Sequence, residues 1–103
     1  MKALFIESLY NKQKVKLTFF SKEDGHTLSR LCAPMDYGPF KRAVNQNDRY
    51  HFWDYESDKK NHPLILLPNQ IIKIEAVNET FDPAEFVTWK FEWHVKRDWG
   101  KYS

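Results

Sequence analysis

The spacing of apolar residues changes character at residue 14. Ahead of it, Leu4, Phe5, Leu9 and Tyr10 lie between Lys2, Glu7, Asn11 and Lys12, spacings that suit one face of a short helix over residues 1–12. Seated on the mouth of a barrel, that helix would cover Leu4, Phe5 and Leu9. From Lys14 the chain alternates. Val15, Leu17 and Phe19 share one side and Lys14, Lys16 and Thr18 the other, as in a strand with one buried and one solvated face. Asp24-Gly25 then predicts a hairpin, because glycine accepts the positive φ of a tight turn. The return strand is expected at about residues 27–32, ended by Ala33-Pro34.

Gly38-Pro39 and Asn45-Gln46-Asn47-Asp48 punctuate the next stretch, with room for a short strand around residues 40–44. Arg49-Tyr50-His51-Phe52-Trp53-Asp54-Tyr55 is rich in aromatics and poor in helix formers, and reads as a strand. A polar loop over residues 57–61 leads to Pro63-Leu64-Ile65-Leu66-Leu67, a run between prolines that suits a buried or edge strand. After a turn at Pro68-Asn69, residues 71–77 read as a strand with Ile72, Ile74 and Ala76 set against Lys73 and Glu75. Asp82 is placed to cap a helical turn opened by Pro83. Last, Val87, Trp89, Phe91, Trp93 and Val95 alternate with Thr88, Lys90, Glu92 and His94, which predicts a further strand with one apolar face. One helix followed by short strands and frequent turns is mainly β (α+β). The expected architecture is a small, strongly bent antiparallel barrel of SH3 or Sm type, with five to six strands.

Composition narrows the class. A chain of 103 residues, 42% hydrophobic and 17% aromatic, makes one folded domain and excludes disorder. The single cysteine excludes a disulfide framework and a cysteine-rich zinc site; it fits a reducing cytoplasm, with Cys32 a small core residue. The apolar run at residues 3–6 is too short for a signal peptide, and residues 64–67 are far short of a membrane span, so a cytoplasmic protein with no membrane partner is expected. Three glycines leave no phosphate loop, dinucleotide fingerprint or Gly-x-Ser-x-Gly turn. His26, His51, His62 and His94 are not at metal-ligand spacing. The expectation is a protein that is not an enzyme and carries no cofactor and no metal.

Two features carry candidate chemistry. On a strand, Arg49, His51, Trp53 and Tyr55 share one face, where they could stack a base and contact phosphate, or pack beneath a loop. Charge is uneven too: residues 1–51 hold nine basic and five acidic residues, net +4, against net −2 for residues 52–103. Lys41 and Arg42 beside Phe40 supply loop cations for an anion, although a net charge of +2 excludes a strong, non-specific nucleic-acid binder. Trp89, Phe91 and Trp93 serve either as the inner face of a closing strand or as an exposed surface for self-association or a protein partner.

Several segments follow one another in a recognisable order: Ile6-Glu7-Ser8-Leu9-Tyr10, then Lys14-Val15-Lys16-Leu17-Thr18-Phe19 with its Asp24-Gly25 turn, then Leu31-Cys32-Ala33-Pro34. Tyr50-His51-Phe52 running into Trp53-Asp54-Tyr55 comes next, followed by Leu66-Leu67-Pro68-Asn69-Gln70-Ile71, Lys73-Ile74-Glu75-Ala76-Val77 and a closing Phe81-Asp82-Pro83. Over about residues 3–83 this order resembles a WYL domain, the Sm-like or SH3-like barrel of bacterial transcription regulators; residues 84–103 would add a C-terminal strand and tail. The resemblance implies a binding or regulatory module for a small anionic ligand, a nucleotide or a short single strand of nucleic acid. The family's arginines fall where this chain has Leu67 and Gln70, so Gln70 is left to supply a polar contact. The family's helix-turn-helix has no room here, which implies a stand-alone barrel, with a homodimer or a regulatory protein as partner.

Overall fold

The computed structural model describes residues 1–57 and 63–103. His62 and all of the expected polar loop except Ser57 lie outside the described residues. The elements are α1 (Lys2–Tyr10), β1 (Gln13–Ser21), β2 (His26–Gly38), β3 (Arg49–Asp54), β4 (Pro63–Leu66) and β5 (Ile71–Thr80), with short 3-10 turns at Pro68–Gln70, Pro83–Glu85 and Gly100–Tyr102. The strands form one antiparallel sheet of five in the order β4-β3-β2-β1-β5. Among the described residues β4 and β5 are its two edges and do not pair with each other. The expected mainly β architecture is present as a bent sheet capped by a helix.

The bend is built into β2. Its first half pairs with β1 up to Val15–Cys32, and its second half pairs with β3 from Cys32–Asp54 onward. Cys32 thus belongs to two ribbons at once, and its buried thiol is pushed up in pKa, first by burial and then by the charges of Asp54 and Glu56. The strand does not end at Ala33-Pro34 as expected. Pro34 lies past the last pair with β1, where a missing N–H breaks no ladder bond on that side, and the register shifts between Pro34 and Asp36. The β1–β2 turn is as expected, with Gly25 at φ 72° and its N–H donating to the Ser21 carbonyl at 2.8 Å.

Three further expectations need correction. In β5, Thr18 faces Lys73 and Phe19 faces Ile71, so Ile72 is the extra residue of a bulge. Ile71 and Ile74 therefore turn inward, while Ile72 is 59% exposed and Ala76 also lies at the surface. Residues 40–44 form no strand. The Ala43 N–H donates to the Phe40 carbonyl, and Gln46 Nε2 donates to the Phe40 and Ala43 carbonyls, which ties the segment into a turn. On α1, Phe5, Ser8 and Leu9 are buried but Leu4 and Tyr10 face solvent, so the covered stripe is narrower than the apolar count suggested. Phe5 sets its ring edge-on against Tyr50 and Phe52 at 5.0 and 5.2 Å, which seats the helix on β3.

The largest departure is the C-terminal segment. Residues 86–99 form no regular element, and the strand expected over Val87 to Val95 is absent. The parity of the side chains survives: Phe91, Trp93, Val95 and Arg97 are half-buried and Trp99 is buried among Phe81, Phe86 and the sheet core. The segment is a strap laid across the sheet. Apolar anchors hold it at both ends, Phe86 and Val87 at one and Trp99 at the other, where the Trp99 indole N–H donates to the Leu9 carbonyl at 3.0 Å.

Candidate functional site

A groove of about 540 Å³ opens between the sheet and the strap, within the ~300–1,000 Å³ range of small-molecule sites. Its floor comes from β2 and β3, with Met35, Asp36, His51 and Trp53; one wall is the turn Pro39-Phe40-Lys41-Arg42, and the other is the strap, with Thr88, Trp89, Glu92, Trp93 and His94. Pro63 and Ile65 of β4 also line it. The groove therefore brings together Lys41, Arg42, His51 and Trp53 from the basic-aromatic set and Trp89 and Trp93 from the C-terminal set. Two surfaces that read as separate in sequence line one cavity.

Four candidates lie elsewhere. Arg49 donates through Nη1 to the Asn45 and Asn47 carbonyls and braces the preceding loop. Tyr55 packs edge-on against Phe86 and donates its hydroxyl proton to Glu85 at 3.2 Å, with the Lys14 ammonium 4.5 Å from its ring centre. Burial, and next the Glu85 charge, push its pKa up, so it stays a donor. Gln70 accepts from the Leu67 N–H at 2.9 Å and completes the 3-10 turn after β4. Phe91 stacks on Trp93 at 5.2 Å and 19°, on the strap but outside the groove.

Within the groove each ring is positioned by a separate contact. Trp53 stacks one face on Phe86 at 5.5 Å and 16°. Trp89 meets Trp93 edge to face at 6.4 Å and remains 43% exposed. His51 and His94 lie edge to face at 6.2 Å, and each presents Nε2 to a backbone carbonyl, Gly38 at 2.9 Å and Pro39 at 3.0 Å. A carbonyl only accepts, so both Nε2 atoms carry protons. Burial lowers the His51 pKa, opposed by the Gly38 carbonyl and Asp36, so its ring is neutral at pH 7. Gly38 is required by this arrangement, since a Cβ there would sit 2.6 Å from His94 Cγ.

The strap wall is held by a pair that the sequence reading did not single out. Asp36, 4% exposed, accepts the backbone N–H groups of His94 and Val95 at 2.9 and 3.0 Å and the Arg97 guanidinium at 3.1 Å. Arg97, its side chain fully covered, also donates to the Val95 and Met35 carbonyls and lies over the rings of Trp93 and Trp99 at 4.1 and 4.4 Å. Burial lowers its pKa to about 10, against the pull of Asp36, and it remains a cation at neutral pH. The signal was present in the alternation: Arg97 continues the parity of Val87, Trp89, Phe91, Trp93 and Val95, and a charge in that register needs a buried acid.

Among the described residues no three His, Cys, Asp or Glu side chains are grouped to hold a metal ion, and no helix is long and apolar enough to cross a membrane. Compared with known proteins, the chain matches no family model, no curated protein and no solved structure.

Proposed function

We propose that this chain is a non-enzymatic binding module of the WYL-like kind whose groove takes a small anionic ligand with a flat ring, of the nucleotide class. The observation that carries the reading is the meeting of Trp53, Trp89 and Trp93 with Lys41 and Arg42 in one cavity. Indole faces and edges offer stacking to any base, and the cations at the rim offer a partner for phosphate. The charge supply favours a single nucleotide over a strand. Among the described residues two Lys or Arg side chains line the groove, and Lys41 already pairs with Glu92 at 3.2 Å, whereas a strand is tracked along a continuous basic channel. A regulatory role in the cytoplasm follows from the order of segments that resembles WYL domains.

The test is a titration with adenosine monophosphate, adenosine and a short oligonucleotide at low and moderate salt, followed by the indole N–H signals. The monophosphate is expected to shift Trp53, Trp89 and Trp93 and to bind with little salt dependence. No shift of these three at either salt sinks the reading. Exposure of Trp89 favours a second use of the same rings, self-association or docking of a regulatory protein. A strict monomer by light scattering at all concentrations removes the self-association form.

A further inference from the structure

Resting on the nucleotide-class reading of the groove, we infer that Lys41 and Arg42 form its anion subsite and that Glu92 is a built-in competitor for that subsite, which a phosphate-bearing ligand must displace and a neutral ligand of the same ring need not. Among the described residues the groove is lined by two carboxylates, Asp36 and Glu92, in different electrostatic states. Asp36 is buried, and its charge is met by Arg97 and by two backbone N–H groups, so it presents little to a ligand. Glu92 stands at the mouth on the strap and pairs with the Lys41 ammonium of the opposite wall at 3.2 Å, with both side chains more than two-thirds exposed. Arg42, next along the turn, lines the same mouth.

That pair links one wall of the groove to the other. Both ends are long, solvated side chains, and such exposed pairs are weak, so a ligand with a stronger anion displaces the carboxylate readily. A phosphate monoester, near two negative charges with three acceptor oxygens, takes Lys41 from Glu92 and adds Arg42. A ligand carboxylate only trades one carboxylate for another, and a neutral nucleoside leaves the pair in place. Glu92 thus lowers affinity for the phosphate ligand and for other anions, and leaves a neutral ligand of the same ring unaffected. It also ties occupancy to the strap, because the contact that the phosphate replaces is the one joining residue 92 to the turn.

The experiment measures adenosine monophosphate and adenosine binding to the full chain carrying E92Q, K41Q or both, beside the unaltered protein. E92Q is expected to tighten monophosphate binding by about threefold to tenfold, the size of an exposed ion pair plus relieved repulsion, and to leave adenosine unchanged. In the K41Q background the gain from E92Q should shrink to about twofold or less, since the competition has lost its object. Both side chains are exposed, so unchanged thermal unfolding verifies that the variants fold. If E92Q shifts both ligands equally, shifts neither, or weakens the monophosphate, the competitor role is overturned while the groove reading stands. If the unaltered protein binds neither compound, the groove reading itself falls and the inference with it.

Discussion

The β1–β2 hairpin and the strap at residues 86–99 both alternate apolar with polar side chains, yet their backbones are satisfied in opposite ways. In the hairpin, residues 15–21 pair with residues 26–32 by backbone bonds along the whole ribbon. In the strap the His94 and Val95 N–H groups go to one carboxylate, that of Asp36, and the Val95 carbonyl goes to Arg97. A ladder spreads its stabilisation over many modest bonds, whereas the strap concentrates it on one buried ion pair and a few apolar anchors, Phe86, Val87 and Trp99. The hairpin therefore tolerates local damage, and the strap, with the groove wall it forms, depends on a few atoms.

The sharpest way to break this contrast is Arg97→Met. It leaves Asp36 buried without its countercharge, and the expected loss is about 3–5 kcal/mol in urea unfolding. A loss under about 1 kcal/mol would mean the strap is held diffusely, as the ladder is. Gly38→Ala comes next. A Cβ 2.6 Å from His94 Cγ must push the strap outward, at a cost of about 1–3 kcal/mol, with amide shifts expected in residues 88–97 and weak ones in the β1–β2 turn. Gly25→Ala is the matching damage on the ladder side. A side chain at φ 72° costs about 1–2 kcal/mol, and here the shifts should stay within the hairpin while binding in the groove is kept.

The smallest effect is a pH dependence at the junction of the two regions. His51 on β3 has a pKa below its ordinary 6.5. The unfolded chain then takes up the proton first, so the stability tied to neutral His51 is fully present above pH 6.5 and is lost as pH falls from there toward the lowered folded value. Chemical unfolding measured across that window should show declining stability that is flatter in His51→Gln. An identical slope in the variant would place the titration on another group.

The elements whose evidence is local were legible in the sequence: α1, the alternation of β1, the Asp24-Gly25 turn, the aromatic strand β3, and Asp82, whose carboxylate accepts the Ala84 N–H at 2.9 Å ahead of Pro83. The failures share a physical cause. Pro34 looks like a strand terminator, but its missing N–H matters only on a paired side, and pairing is a tertiary fact. Ile72 looks like a core residue until one extra residue in the ribbon turns it outward. A period of two reports an extended chain over an apolar surface and is silent on whether the neighbour across the backbone is a strand or a carboxylate. For the site, the stacking rings and loop cations were recognisable one by one. Their meeting was not, because Trp89 and Trp93 reach His51 and Trp53 through contacts distant in sequence, such as Arg97 with Asp36 across 61 positions of chain.

The Trp99 plug has a consequence in time. Its bond to Leu9 closes a loop of 90 positions, while the β1–β2 turn closes within a few, and long closures are entropically later than short ones. The sheet and its helix can assemble while the strap is still loose, and the groove comes into being only with the last docking event. Trp99 fluorescence during refolding should therefore follow the sheet signal rather than accompany it, and ligand competence should rise with Trp99.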